Sequence, residues 1–140
     1  MKLFKLICLV AGSILFFTCK EEKPPETTLV WDTWGVPQVT SDNIEDLFFT
    51  QGWAQMQSHA NLILELYGTS RGRGSEYWGK EKLMDDMLVH TLGFPELADE
   101  WETQQDQEIK TIFSSFVEGM NAYVEAHPEA IEEKNRMVLP

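Results

Sequence analysis

Asp86 and His90 stand four residues apart, a spacing that places two side chains on one face of a helix, where a carboxylate and an imidazole could share a metal ion. A zinc site needs three or four ligands. His59 is too distant along the chain to be counted as the third, so the pair is not assigned as a metal site. Ser58 and His59 set a hydroxyl beside an imidazole. Adjacent side chains on a helix point about 100° apart, which keeps the base from the hydroxyl. Arg71 and Arg73 frame a glycine-rich run, Arg71 to Gly74, where guanidinium groups could hold an acidic ligand. Pairing with a nearby carboxylate such as Glu76 is the favoured reading. Trp31, Trp34, Trp53, Trp78 and Trp101 offer stacking surfaces, but in a helical body they are expected as core and interface anchors. No residue is therefore assigned a catalytic, cofactor-binding or metal-binding role.

The elements that would position these residues are mostly helical. Thr27 to Val30, continuing through Trp31, has the β-branched character of a short strand, and Val39-Thr40 suggests a second. Gly35-Val-Pro37 between them turns the chain, because glycine allows positive φ and proline fixes its own. Asp42 and Glu45 have capping-box spacing and predict a helix start. Phe48, Met56, Ala60, Ile63, Leu64 and Tyr67 continue at helical spacing to a stop at Gly68. A second helix is predicted over Lys82 to Thr91 with Leu83, Met84, Met87 and Leu88 inward, broken by Gly93-Phe-Pro95. A third carries Ile109, Ile112, Phe113, Phe116, Met120, Tyr123 and Val124, and His127-Pro128 ends it. The fold class read from this pattern is mainly α with a small N-terminal β element.

The amino terminus reads as an export signal. Lys2 and Lys5 precede the apolar stretch Leu6 to Phe17, too short to span a bilayer but suited to a signal core. Leu15-Phe-Phe-Thr-Cys19 resembles a bacterial lipoprotein signal, in which the cysteine is lipidated and becomes the new amino terminus. Phe16 and Phe17 are bulkier than is usual there. The expected division is a signal peptide over 1–18, a polar tether over 19–28 and a domain over 29–140. The tether's Cys19-Lys-Glu-Glu-Lys-Pro-Pro25 resembles the acidic signal of surface lipoproteins in Bacteroidetes-type bacteria, and its prolines stiffen it as a spacer. An amino-terminal Cys19 thiol could also be a nucleophile, but such a group must sit uncapped on a buried strand. Lipid attachment is the assignment, with localisation in a bacterial envelope membrane. The whole chain of 140 residues carries a formal charge of −12. Removing residues 1–18 takes two of the 11 basic residues and leaves nine against 23 acidic ones, a balance of −14. That acidity excludes nucleic acid and anionic headgroups as partners of this segment and leaves the lipid as its membrane contact.

Three segments, in order, carry a family resemblance: Trp31-Asp-Thr-Trp-Gly-Val-Pro-Gln-Val39, Gly52-Trp-Ala-Gln55 and Arg71-Gly-Arg-Gly-Ser-Glu-Tyr-Trp-Gly79. They resemble the opening of the penicillin acylase (penicillin amidase) family, over roughly Val30 to Pro140. Asp32, Gly35 and Pro37 keep the opening motif, with Trp31, Gln38 and Val39 replacing its arginine, histidine and isoleucine. Thr50 and Ser58-His59 depart from the family glycine and Asp-Arg pair, as expected of a divergent subgroup. Gly72-Arg73, Glu76 and Gly79 keep the next block, with Ser75 for alanine. Asp85 is matched to an aspartate of the following helix. Gly119-Met-Asn121-Ala122 and Leu139-Pro140 match the last two elements.

The resemblance implies the first part of the α-chain of an αββα amino-terminal-nucleophile hydrolase. Its reaction would be hydrolysis of an acyl amide to a carboxylic acid and an amine. The related acyl-homoserine lactone acylases bring fatty-acyl amides into the expected substrate class. The nucleophilic serine would open a separate β-chain of the same precursor, and the pocket residues and a calcium site would follow Pro140. The chain alone is then expected to be inactive and to expose apolar surface where the β-chain packs. The rival expectation is a non-catalytic lipoprotein binding module or a decayed gene product.

Overall fold

The computed structural model describes residues 27–138. The signal, Cys19, most of the tether and Leu139-Pro140 lie outside the described residues. Strands β1 (Thr28–Trp31) and β2 (Pro37–Thr40) form an antiparallel hairpin, with Thr28 opposite Thr40 and Trp31 opposite Pro37. The turn is set by Asp32, whose Oδ1 accepts from the backbone N–H groups of Trp34 and Val36, each at 2.8 Å. Gly35 supplies the required positive φ of 77°.

Helix α1 (Ile44–Ser70) starts at Asn43, whose side-chain oxygen accepts from Glu45 N at 2.7 Å and Asp46 N at 3.1 Å. The predicted Asp42–Glu45 capping box is thus displaced by one residue. With Asn43 as N-cap, Glu45 is at the second helical position and Asp46 stands where a box needs the longer glutamate. Both acids still favour the positive end of the helix. Gly68 does not stop α1, which runs on to Ser70 because Gly68 is a packing position beneath Trp78. The helix departs from helical geometry at His59 (φ −143°, ψ 30°), and five buried residues, Gly52, Met56, Ala60, Leu64 and Gly68, recur along it at intervals of four.

After α1 come the short helix α2 (Gly74–Trp78), a 3₁₀ turn at Lys80–Lys82, α3 (Leu83–Thr91), α4 (Phe94–Gln104) and α5 (Gln107–Ala126). Gly93-Phe-Pro95 does end α3, but it also begins α4. Gly93 turns left-handed at φ 70°, and Pro95 occupies the first turn of α4, where its missing N–H has no partner to lose. In α3 the predicted inner side is reversed. Asp86 and Val89 are buried, whereas Leu83, Met84, Met87 and Leu88 are half or more exposed. A polar anchor, described below, sets the rotation of this helix.

Helix α5, capped by the Asp106 carboxylate on Ile109 N at 2.9 Å, lies across α1. The two backbones approach at two glycines: a Cβ on Gly52 would lie 2.0 Å from the Phe116 carbonyl oxygen, and one on Gly119 would lie 1.9 Å from that of Phe49. Met56, Leu64, Met120, Tyr123, Ile131 and Val138 form the core around this crossing.

Two 3₁₀ turns, Pro128–Ala130 and Glu133–Asn135, return the chain to α1. The Asn61 side chain donates to Ala130 O at 3.1 Å and accepts from Glu132 N at 2.9 Å. Asn135, fully buried, donates to Asn61 Oδ1 at 3.1 Å and accepts from the Trp78 indole N–H at 3.0 Å. Its amide therefore joins α1, α2 and the C-terminal turns. Asn135→Ala should lower stability by about 2–3 kcal/mol, because it leaves the Trp78 N–H without its acceptor and opens a small void. A urea titration followed by tryptophan fluorescence measures this, and an unchanged midpoint would assign the join no energetic role.

Candidate functional site

The glycine-rich run gathers several side-chain hydrogen bonds from α2 and α3. Arg71 and Gly72 leave α1, and Gly72 takes φ 65°. A side chain there would meet His90 at 2.6 Å, so the imidazole lies directly over the glycine. His90 Nε2 donates to the Gly72 carbonyl at 3.0 Å, which fixes the proton on that nitrogen.

Helix α2 follows with Arg73 at its N-cap position and no capping side chain of its own. Asp86 of α3 supplies the cap from across the fold. Its Oδ1 accepts from Gly74 N and its Oδ2 from Ser75 N, both at 2.7 Å. Burial pushes the Asp86 carboxyl up, but hydrogen bonds from Ser75 and Gly74, with His90 nearby, outweigh it and hold the group below the usual aspartate value. The carboxylate thus occupies the N–H groups with which the start of α2 could hold an anion.

The arginines are turned to the same structural use. Arg73 grips Glu76 through two 2.7 Å bonds and lies 5.2 Å from the centre of the Tyr77 ring. That pairing lowers the Glu76 pKa and raises that of Arg73. Arg71 lies over the Tyr67 ring at 5.3 Å. The expected carboxylate pairing of the loop is present at Arg73.

Asp86 and His90 are brought together on one side of α3, as their spacing indicates, but each is spent on the loop backbone. Among the described residues no group of three or more His, Cys, Asp or Glu could hold a metal ion. Asp85, the aspartate matched from sequence, is exposed and lies 3.8 Å from Lys82, so the structural role belongs to its neighbour Asp86. The two differ by one residue in a helix, and only the docking of α3 separates them. Ser58 and His59 are exposed at the departure point in α1. Trp53 packs edge-on to Tyr123 at 5.4 Å, and Trp101 to Phe113 at 5.9 Å. Trp34 departs from the anchoring expectation, being 88% exposed beside the hairpin turn.

Beside the loop, Leu62, Leu66, Thr69, Tyr77, Trp78 and Lys134 line a shallow groove of about 620 Å³. The Lys134 ammonium on its rim is held by Glu65 at 2.6 Å and Glu132 at 3.2 Å. Chemically, then, the loop offers a backbone platform fastened by Asp86 and His90, with Arg73 and Lys134 beside it paired to carboxylates.

Comparison with known proteins gives this platform a context. A family model for penicillin amidase matches residues 26–139. Over 90 residues the chain is 29% identical to the acyl-homoserine lactone acylase QuiP of Pseudomonas fluorescens, covering 64% of this chain and 11% of that protein. Over 96 residues it is 31% identical to the acyl-homoserine lactone acylase PvdQ of Pseudomonas savastanoi pv. phaseolicola, covering 62% of this chain and 12% of that one. The match therefore spans only 11–12% of the length of these curated relatives. A thermostable penicillin G acylase from Alcaligenes faecalis superposes with a TM-score of 0.68 at 22% identity, over 78% of this chain and 60% of that one. This likeness shows that the mainly helical arrangement with its small hairpin is shared with part of the penicillin G acylase fold. With a family match over all the described residues and a shared fold, the chain belongs to the penicillin amidase family.

Proposed function

We propose that this chain is the opening part of an exported, lipid-anchored acylase that hydrolyses an acyl amide to a carboxylic acid and an amine. The observation that carries the reading is the family match over residues 26–139, in a chain that spans only 11–12% of its acylase relatives. The nucleophile would be an amino-terminal serine of a further segment, the β-chain. Its own α-amine takes the hydroxyl proton as Oγ attacks the amide carbonyl, and the amine product leaves with a proton. Water then releases the acid from the serine ester. Oxyanion donors would come from that same segment. The described residues would serve as a helical wall around it, with the Asp86-clamped loop as part of that wall.

Calcium is a proposed component of the complete enzyme. The described residues do not fit it, since they form no suitable ligand group, so its site would lie elsewhere in the protein. No described helix is long and apolar enough to cross a membrane, and the proposed anchor is lipid on Cys19.

The test is hydrolysis of a panel of phenylacetyl amides and N-acyl-homoserine lactones of graded chain length, read by mass spectrometry of the released acid. The complete precursor should hydrolyse at least one class, while the 140-residue chain alone should match buffer. An inactive but folded and fully processed precursor would overturn the reading in favour of a binding role. In membrane fractions, Cys19→Ala should move the protein to the soluble phase.

A further inference from the structure

A crevice of about 390 Å³ opens between the first turns of α1 and the middle of α5. Glu45, Asp46 and Phe49 line one side, and Thr111, Ser115 and Glu118 the other. The close helix crossing fixes the two walls, since a Cβ on Gly119 would already lie 1.9 Å from the Phe49 carbonyl oxygen. The crevice is thus a preformed feature of the α1–α5 pair. Its charge is unbalanced. Glu45, Asp46 and Glu118 make no ion pair among the described residues, whereas Glu65, Glu76 and Glu132 each hold a lysine or arginine.

A buried hydroxyl is the second feature. Ser115 is only 8% exposed, yet it lines the crevice. Its neighbour Ser114 turns its hydroxyl back to the Lys110 carbonyl at 2.8 Å, a common use of serine inside a helix. The Ser115 hydroxyl makes no such bond and has no partner among the described residues. No polar side-chain atom sealed from solvent among those residues lacks a partner, so this oxygen opens into the crevice. It offers a lone pair to an entering donor.

Three carboxylates select a donor that is positively charged. A metal ion fits poorly, because among the described residues no group of three or more His, Cys, Asp or Glu could hold one. Carboxylates spread along a crevice suit a ligand whose charges are also spread. Phe49, 37% exposed, adds an apolar wall that suits methylene groups and a cation near its ring. We propose that the crevice binds a linear polyamine, an alkyl chain carrying two or more ammonium groups. One ammonium donates to the Ser115 hydroxyl, the others face Glu45, Asp46 and Glu118, and the methylenes lie against Phe49. A second copy of the chain is disfavoured there, since its net charge is −12. The site's charge and shape stand independently of the reaction that the complete enzyme performs.

Isothermal titration of the complete precursor with spermidine, putrescine and magnesium chloride tests the proposal. Spermidine should saturate a single site and putrescine should bind more weakly. Magnesium at the same concentration should leave the spermidine isotherm almost unchanged. Ser115→Ala should weaken spermidine binding about tenfold, because a hydrogen bond to a charged group is lost. Glu118→Gln should weaken it about fivefold. Glu125→Gln removes the same charge from an exposed position of α5 outside the crevice and should leave the affinity unchanged. Alanine is the better helix former and Glu118 is exposed, so both crevice variants should keep the parent's thermal midpoint. A folded parent that gives no spermidine isotherm would overturn the proposal. Equal displacement by magnesium, or equal weakening by Glu125→Gln, would do the same by reducing the crevice to diffuse acidity. Undiminished binding in Ser115→Ala would remove the hydroxyl, and with it the site. All of these outcomes leave the acylase reading untouched, because none of them measures hydrolysis.

Discussion

Gly119→Ala is expected to destabilise the folded chain by about 3 kcal/mol or more, and Gly52→Ala by a similar amount. Judged by helix propensity alone the sign would be opposite, since glycine in a helix interior costs about 1 kcal/mol relative to alanine. The crossing decides otherwise. The added methyl group would come within 1.9 Å of the Phe49 carbonyl oxygen at Gly119, or 2.0 Å of the Phe116 carbonyl oxygen at Gly52. A side chain could swing away, but a carbonyl in the middle of a helix cannot move without its whole turn. The helices must separate, which loosens Met56 and Met120 on either side of the crossing. Urea denaturation of the two variants, with Ser114→Ala on the exposed side of α5 as control, gives the comparison. A Gly119→Ala midpoint at or above that of the parent would mean that the close crossing does not hold in solution.

Asp86→Ala should be nearly as damaging, at about 3 kcal/mol, because the buried Gly74 N–H and the part-buried Ser75 N–H lose a charged acceptor at once. Its signature would differ from that of a packing defect. The folded-state pKa of Asp86 is depressed below 3.8, since its hydrogen bonds to Ser75 and Gly74 outweigh burial. A depressed carboxylate contributes its full stabilisation above the unfolded-state value and loses it as pH falls through the folded-state value. The parent should therefore weaken on acidification below about pH 4. Asp86→Ala should lack that portion of the slope, and the two proteins should converge in stability at low pH. Asp85→Ala, by contrast, should change little, as an exposed residue facing a 3.8 Å lysine partner. Chemical denaturation at a series of pH values measures all three proteins. Parallel pH profiles for parent and Asp86→Ala would remove the carboxylate from the account of acid stability.

The hairpin and helices α1, α3 and α5 were legible because their signals are local. They are β-branched runs around Gly35-Val-Pro37, and apolar residues at three- and four-residue steps. Helix α4 was hidden by Gly93-Phe-Pro95, since the residues that end one helix are also fit to begin the next. The rotation of α3 was hidden for a different reason. Its apolar stripe predicts burial of Met84 and Leu88, but the stripe only shows which residues share a face. It does not say whether that face meets this chain or another part of the protein. Two N–H groups on α2 decide it by binding Asp86, twelve residues from Gly74 in sequence. The pairing of Arg73 with Glu76 was readable because it spans three residues. The join through Asn61 and Asn135 was not, because its partners lie 74 residues apart and a buried asparagine leaves no periodic trace.

The interval of four along α1 gives that helix a winding property. An α-helix turns about 100° per residue, so residues repeated every four positions advance about 40° per step around the axis. From Gly52 to Gly68 an uninterrupted helix would accumulate about 160°, nearly half a revolution. The two ends of the series do meet different neighbours: Gly52 faces the α5 backbone and Gly68 faces Trp78. One helix can thus address α5 along its length, through Gly52 and again through Tyr67, and still turn Gly68 to Trp78 beyond the departure at His59. Phase, rather than composition, becomes the quantity that evolution must conserve here. A single-residue insertion between Met56 and Ala60 would keep every side chain but rotate the second half by about 100°, turning Leu64 and Gly68 away from their partners.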